Sequence, residues 1–240
     1  KGPLKVDPTR HSALDVGDEP LLMAQSFSTW ISANRYKGAK EAIEDGAEII
    51  LLDDGLQNYT LQQDLKICVV NATQKFGNKR QIPLGPLREN FIKGLGRMDA
   101  FFVIGNSEND RFTLDTNKPL LRANITVNKG DWAALKNKKL IAFAGLAHPE
   151  KFFQTLRLED LNPTKTIRFP DHYTYTNNDI EDLVEKAKNK GACLVTTQKD
   201  WVRLPKKYQN KIAQLRITLE YQDTHQLRRL LEPFLKKVQQ

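Results

Sequence analysis

The chain has 240 residues, of which 40% are apolar and 28% charged, a composition that excludes a disordered protein and indicates one large or two small globular domains. Its net charge of +8 favours an anionic partner, such as a phosphate, an acidic lipid surface or nucleic acid. No run approaches the roughly 18 apolar residues of a transmembrane helix, and Cys68 and Cys193 form no CxxC motif, which indicates buried thiols in a reducing compartment.

The first half of the chain alternates apolar runs with helical segments. Pro20 suits the first turn of a helix over residues 21–24, with Asp18 at its cap or just before it. The sequence then predicts a short strand at 27–32, a helix at 38–45, and buried strands at 49–52, 66–71 and 100–105. This alternation is the signature of a doubly wound α/β layer.

The second half of the chain continues the alternation. It predicts strands at 120–127, 140–145, 192–197 and 216–221, and helices at 148–157, 178–190 and 226–238. We therefore predict two α/β domains. The predicted segments are a first domain at 1–119, a linker strand at 120–127, a second domain at 128–213, a second linker strand at 214–222 and a terminal helix at 223–240.

Two adjacent carboxylates, Asp53 and Asp54, follow the predicted strand at 49–52. Ligands of open α/β sheets collect beyond the carboxyl ends of the strands, and an aspartate at this place helps to hold Mg²⁺ in P-loop NTPases. The alternative is a solvated junction in which aspartate only forms the turn. The residues by themselves leave both possibilities open.

Two loops add further candidates for phosphate chemistry. The segment 85–89 (GPLRE) follows 76–80 (FGNKR), and the basic side chains of the two segments suit phosphate oxygens. Glu89 could add a carboxylate to a metal site. His172 lies next to Asp171, and a histidine bonded to a carboxylate can act as or tune a general base. An exposed charged loop and a structural histidine are the alternatives.

A phosphate-binding loop is absent from the printed sequence, since neither GxxxxGK[ST] nor GxGxxG occurs in it. The chain opens on Lys1 without a secretory signal, and its methionines are Met23 and Met98. We expect that the true beginning of the protein lies upstream and that a P-loop, if one exists, lies there too.

Seven motifs in a fixed order resemble one family, tetraacyldisaccharide 4'-kinase, the lipid A kinase of Gram-negative envelopes. The motifs are GDEP at 17–20, DDGLQ at 53–57, FGN at 76–78, GPLRE at 85–89, FAG at 143–145, FPDH at 169–172 and TTQKD at 196–200. Together they span nearly all of the chain.

The resemblance implies a P-loop NTPase-like α/β/α domain, incomplete here, and a smaller C-terminal α/β/α domain joined to it by a two-stranded linker. It implies transfer of the γ-phosphate of ATP, with Mg²⁺, to the 4'-hydroxyl of a tetraacyldisaccharide 1-phosphate, which yields lipid IVA. It further implies peripheral association with the cytoplasmic face of the inner membrane, with no nucleic acid and no obligate protein partner.

The resemblance also implies roles for individual residues. Asp18 corresponds to the general base, and His172 to its partner across the domain cleft. The other matched positions are those assigned to ATP and to Mg²⁺: Glu19, Gln57 and Arg88 for ATP, and Asp53, Asp54 and Glu89 for the metal.

Three departures from the family pattern affect the expected activity. Asn58 stands where the family usually has histidine after DDGLQ, TTQKD replaces the commoner TEKD, and the P-loop is missing. We therefore expect the chain by itself to be inactive. Two other functions stay possible: a glycosyltransferase-like enzyme, which would explain only the paired aspartates, and a basic nucleic-acid-binding module, which lacks interleaved aromatic residues.

Overall fold

The computed structural model describes residues 2–105 and 114–238. The chain divides into two compact units. Unit 1 contains Lys1–Ala33 and Val127–Thr218, and unit 2 contains Asn34–Thr126 and Leu219–Gln240. The predicted first domain, 1–119, includes residues 106–113, which lie outside the described residues.

Strands and helices are numbered in chain order. The strands are β1 (Leu4–Lys5), β2 (Trp30–Ile31), β3 (Ile67–Asn71), β4 (Ala100–Ile104), β5 (Leu120–Val127), β6 (Leu140–Ala144), β7 (Pro163–Arg168), β8 (Cys193–Thr197), β9 (Ala213–Leu215) and β10 (Ile217–Tyr221). The helices are α1 (Ala13–Val16), α2 (Asp18–Met23), α3 (Arg35–Glu44), α4 (Phe91–Arg97), α5 (Lys129–Leu135), α6 (Pro149–Leu158), α7 (Asn177–Asn189), α8 (Gln198–Arg203), α9 (Lys206–Gln209) and α10 (Thr224–Val238).

Unit 1 is built on a parallel sheet in the order β7-β6-β8-β9. All of β6 is buried, and its side chains alternate between two apolar clusters. Ala142 packs into the cluster that contains Phe153 of α6, whereas Phe143 packs into the cluster that contains Ile180 of α7. Because successive side chains of a strand point to opposite faces, helices cover both faces of this sheet.

The first 33 residues belong to unit 1 because they share an apolar cluster with its later part. Val6, Val16 and Leu21 are buried against Val202 of α8. The sequence boundaries place this stretch in the first domain, 1–119. The structure instead groups it with the second predicted domain, since the segment buries its apolar side chains there.

Unit 2 is built on a sheet in the order β10-β5-β4-β3, in which β3, β4 and β5 are parallel. Phe101 of β4 is buried with Val70 on one face of the sheet. Phe102 is buried in a second cluster, which Leu227 and Leu230 of α10 join. The apolar side of the amphipathic helix α10 therefore packs against the sheet.

The buried strand predicted at 49–52 is wrong. Residues 45–66 contain neither helix nor strand, and Leu51 is 86% exposed. A strand needs a neighbour for its backbone hydrogen bonds. Among the described residues, β3 is the edge of its sheet and no further strand pairs with it beyond β4.

The other predicted elements are confirmed, with ends that differ by a few residues. They correspond to β2, β3, β4, β5, β6, β8 and β10, and to α2, α3, α6, α7 and α10. The prediction of a mixed α/β fold with parallel sheets is therefore confirmed.

Candidate active site

Asp18 opens α2 in unit 1, where the chain turns sharply. Gly17 precedes it with φ of 94°, a conformation that a residue with a Cβ rarely adopts, and Pro20 occupies the first helical turn. The Asp18 side chain is 16% exposed and accepts a 3.1 Å hydrogen bond from Nε of Arg203, and a second one from an Nη of the same residue.

His172 follows β7 in a tight loop and has φ of 53°. Its Nδ1 lies 3.4 Å from Oδ2 of Asp18 and 3.2 Å from an Nη of Arg203. The structure thus brings Asp18 and His172 together, as the resemblance implies. Both residues lie in unit 1, because α2 packs on α8 beside the carboxyl end of the sheet of that unit. The pair therefore does not span two domains.

Asp200 and Arg203, both on α8, complete this cluster, and the sequence analysis gave neither a role. Asp200 is fully buried and accepts hydrogen bonds from Gly145 N at 3.0 Å and from the Tyr175 hydroxyl at 2.9 Å. One feature of the sequence could have indicated them. Asp200 is the last residue of TTQKD, directly after a buried strand, and Arg203 lies about one helical turn further on.

The charges of this cluster change the acidity of its members. Burial by itself would raise the pKa of Asp18, but the hydrogen bonds and positive charge of Arg203 outweigh it and hold that pKa below its usual value. Burial, together with the negative charge of Asp200, strongly raises the pKa of Tyr175. Asp18 is therefore a carboxylate and Tyr175 a neutral hydrogen-bond donor at neutral pH.

A cavity of about 350 Å³ in unit 1 opens beside this cluster. Asp18, His172 and Arg203 line it, together with the aromatic rings of Tyr173 and Tyr175. A pocket with apolar walls and a few convergent polar groups is typical of a small-molecule site. A volume of about 350 Å³ lies at the lower end of the range of small-molecule pockets.

Glu19, assigned to ATP by the resemblance, is also in unit 1. Its carboxylate forms an ion pair with Lys199 of α8. Its backbone N–H donates a 3.1 Å hydrogen bond to Oδ1 of Asp18. Its role in ATP binding stays a prediction.

Unit 2 contains the remaining predicted site residues. Asp54 has φ of 50° and forms an ion pair with Arg88, whose Nη lies 2.8 Å from Oδ2 of Asp54. Both side chains are more than half exposed. Asp53 is exposed and has no side-chain hydrogen bond or ion pair within the described part of the chain.

Gln57 and Glu89 meet in a second small network of unit 2. Nε2 of Gln57 donates a 2.8 Å hydrogen bond to Glu89, which also forms an ion pair with Arg97 at 2.5 Å. Burial would raise the pKa of Glu89, but the hydrogen bonds from Arg97 and Gln57 outweigh it and lower that pKa. Sequence reasoning missed Arg97, which no motif contains.

The predicted metal ligands are not assembled into one group. Residues 2–105 and 114–238 contain no cluster of three or more His, Cys, Asp or Glu side chains that would hold a metal. Asp54 forms an ion pair with Arg88, and Glu89 forms one with Arg97. Of the three predicted ligands, Asp53 alone has no side-chain partner among the described residues. Mg²⁺ usually takes one or two carboxylates together with waters and substrate phosphates, so this donor set fits a phosphate-bound ion better than a protein cage.

Comparisons with known proteins relate the chain to one family. The family model of tetraacyldisaccharide-1-P 4'-kinase matches residues 1–236. A tetraacyldisaccharide 4'-kinase of Hyphomonas neptunium is 42% identical over 98% of this chain and 70% of its own length. One of Rhodospirillum centenum is 40% identical over 98% of this chain and 70% of its own length.

A solved structure shares the fold. It is the "apo" form of LpxK from Aquifex aeolicus in complex with ATP, with a TM-score of 0.80 and 27% identity. The match covers 98% of this chain and 75% of that one. No helix in the described part of the present chain is both long and apolar enough to cross a bilayer.

Parallel α/β sheets with charged side chains beyond the carboxyl ends of their strands are typical of the α/β class of proteins, which bind ligands at that edge. The chain belongs to the tetraacyldisaccharide-1-P 4'-kinase family. The resemblance drawn from the motifs is therefore confirmed, and so is the prediction of an enzyme. Family membership also decides against the glycosyltransferase-like and nucleic-acid-binding alternatives.

Proposed function

We propose that the protein transfers the γ-phosphate of ATP to the 4'-hydroxyl of a tetraacyldisaccharide 1-phosphate and so forms lipid IVA. The observation that carries this proposal is the 3.4 Å approach of His172 to Asp18 beside a cavity of about 350 Å³. The names of its relatives and the ATP in the Aquifex structure support it.

Asp18 is the proposed general base, with His172 as its partner. As the hydroxyl oxygen bonds to the γ-phosphorus, its proton passes to Asp18, and the bond from that phosphorus to the bridging oxygen of the departing ADP breaks. An ionised carboxylate suits this role, since it accepts the proton without first losing one. Asp18 is ionised at neutral pH, and the bonds from Arg203 that lower its pKa also make it a weaker base.

The nucleotide is assigned to Glu19, Gln57 and Arg88, and Mg²⁺ to Asp53, Asp54 and Glu89. A bound Mg²⁺ would neutralise charge on the phosphate oxygens. The ion pair of Arg88 with Asp54 is exposed, so either partner is available to bind a phosphate or a metal at low energetic cost.

The test is a transfer assay with radiolabelled ATP and the tetraacyldisaccharide, run on the full-length protein with ATP from micromolar to millimolar concentrations. We expect Asp18→Ala to lower kcat by about 100-fold or more while the Kd for ATP changes little. Asp131→Ala, which removes another arginine-paired aspartate of unit 1, is the control. Unchanged turnover in Asp18→Ala would eliminate it as the base.

Two finer expectations belong to the same proposal. Residues 1–240 alone are expected to show no transfer, and the same assay run on that chain tests this directly. Peripheral association with the cytoplasmic face of the inner membrane is supported by the net charge of +8. Co-sedimentation with anionic vesicles, but not with neutral ones, is the expected result.

A further inference from the structure

Positive charge is concentrated in one short part of unit 2. Residues 72–98 contain six lysines and arginines and one acidic residue, Glu89, so they supply more than half of the net charge of +8. The six are Lys75, Lys79, Arg80, Arg88, Lys93 and Arg97. Arg88 and Arg97 form ion pairs with carboxylates. In contrast, Lys79, Arg80 and Lys93 are exposed and form no ion pair with any described residue.

Large apolar side chains are exposed in the same part of the chain. In the loop between β3 and α4, Ile82 is 66% exposed and Leu84 is 70% exposed. Ile92, in the first turn of α4, is 71% exposed. A single exposed apolar residue is ordinary, but several of them beside unpaired cations indicate a surface that binds a partner.

The loop and the start of α4 are packed together. The ring of Phe76 lies edge-on to that of Phe91, with centroids 5.1 Å apart, and Nζ of Lys79 lies 5.1 Å from the centroid of the Phe91 ring. Phe91 directly precedes Ile92 and Lys93 in α4. The exposed groups of the two elements therefore belong to one region of unit 2. This region, here called the basic–apolar surface, consists of Lys79, Arg80, Ile82, Leu84, Ile92 and Lys93.

The turn that displays Ile82 and Leu84 is closed by hydrogen bonds. The backbone N–H groups of Leu84 and Gly85 donate to the carbonyl of Gln81 at 2.8 and 3.0 Å, and the side-chain amide of Asn78 donates to the carbonyl of Leu84 at 2.7 Å. A Cβ on Gly85 would collide with Oδ1 of Asn78, so this close approach requires a glycine. An ordered turn thus holds both apolar side chains outward.

The chemistry of the basic–apolar surface favours an acidic bilayer over other anionic partners. Aliphatic side chains enter the boundary between head groups and acyl chains, while cations beside them attract anionic head groups. A backbone whose polar groups are bonded internally approaches hydrocarbon at low cost. Nucleic-acid bases would instead need exposed aromatic rings to stack on, and Phe76 and Phe91 pack against each other.

We propose that the basic–apolar surface binds the head-group layer of an acidic bilayer and inserts Ile82 and Leu84 into it. The proposal rests on the proposed function, because it supplies a contact for the peripheral membrane association described there. The acceptor of that reaction carries four acyl chains and resides in a bilayer. A contact of this kind would keep the enzyme at the layer that contains its substrate.

The experiment measures co-sedimentation of the full-length protein with vesicles of phosphatidylcholine, pure or mixed with phosphatidylglycerol. Ile82→Ser combined with Leu84→Ser should lower the partition coefficient for the mixed vesicles by about 10-fold or more, because the inserted apolar area is lost. The matched control is Ile43→Ser combined with Leu158→Ser, at positions 60% and 76% exposed outside this surface. It should change the partition coefficient by less than about twofold.

A second pair of substitutions tests the cations. Lys79→Gln combined with Arg80→Gln should lower binding to the mixed vesicles by about 10-fold at low salt, and the difference should shrink at high salt. Lys151→Gln combined with Lys165→Gln removes the same charge from exposed positions of unit 1 and should lower binding by at most about threefold. This pair also carries the test if the apolar double variant fails to fold.

Insertion is measured separately with brominated lipids, which quench a tryptophan that reaches the acyl chains. We expect Leu84→Trp to be quenched and Ile43→Trp not, after subtraction of the signal of the unaltered protein. Unquenched Leu84→Trp would overturn the proposal, and it is the result expected if a second copy or another part of the protein covers the surface.

Two further outcomes would overturn the proposal: no binding of the full-length protein to the mixed vesicles, or equal binding by each double variant and its control. If transfer is absent but the vesicle results are as expected, the proposed reaction fails and the basic–apolar surface stands. If transfer occurs but the double variants bind like their controls, the surface fails and the reaction stands.

Discussion

The hydroxyl of Tyr175 donates a 2.9 Å hydrogen bond to Oδ1 of Asp200, and both side chains are buried in unit 1. The ring of Tyr175 also packs edge-on against Phe143, with centroids 5.6 Å apart. The tyrosine therefore connects the apolar core of the unit to this buried carboxylate, whose Oδ1 also lies 3.3 Å from an Nη of Arg203.

Removal of this hydroxyl is expected to destabilise the fold. Tyr175→Phe keeps the ring but leaves a buried carboxylate with one donor fewer, and we expect the free energy of unfolding to fall by about 1–2 kcal/mol. The control is Tyr173→Phe, which removes a 3.2 Å hydrogen bond to the half-buried Asp179 and should cost about 0.5 kcal/mol or less. Urea denaturation measures both, and equal losses would contradict the prediction.

The low pKa of Asp18 predicts a contribution to stability that depends on pH. Because its native pKa lies below the unfolded value of about 3.9, the carboxylate stabilises the native state above that pH, and the contribution is lost as the pH falls through the native pKa. The stability difference between the unaltered chain and Asp18→Asn should be constant from about pH 8 to about pH 5 and shrink below about pH 4. A difference that persists undiminished to about pH 2 would refute this.

Substitutions of Asp54 and Glu89, both in unit 2, are expected to differ in their effects on activity and on stability. Asp54→Asn breaks an exposed ion pair and should change the free energy of unfolding by less than about 0.5 kcal/mol, while raising the Mg²⁺ or ATP concentration that activity requires. Glu89→Ala removes the partner of Gln57 and Arg97 and should cost about 1–2 kcal/mol. Urea denaturation and ATP titration distinguish them, and an unaltered requirement in Asp54→Asn removes it from the metal site.

Much of the fold was predictable because the central strands are apolar throughout. β4 and β6 are buried on both faces, and a strand buried in this way has a continuous apolar sequence that can be recognised without a structure. β7 was not predicted, since its sequence PTKTIR is mostly polar, as befits a strand at the edge of its sheet. The run at 49–52 gave the opposite error, because an apolar pattern states a preference for burial but not the presence of a neighbouring strand.

The candidate site was predictable only in part. The motifs supplied Asp18 and His172, which no periodicity would have paired, since they are far apart in sequence and meet through the packing of α2 on α8. Arg203 and Arg97 were missed because their roles depend on which side chains the fold brings within reach. A carboxylate in a motif is visible in sequence, whereas the cation that pairs with it is one among 37 lysines and arginines.

Lys118 predicts one further effect, confined to unit 2. Its ammonium donates to the carbonyls of Leu95 at 3.0 Å, Gly96 at 2.6 Å and Met98, at the carboxyl end of α4. The carbonyls of a helix's last turn lack their regular helical partners, although that of Leu95 also accepts from Met98 N at 3.3 Å. A cation there also complements the helix dipole. Lys118→Met keeps the apolar stem and should cost about 1–3 kcal/mol, with faster hydrogen exchange in α4. The exposed Lys129→Met is the control, and slow exchange in α4 of Lys118→Met would show that the ammonium does not hold the helix end.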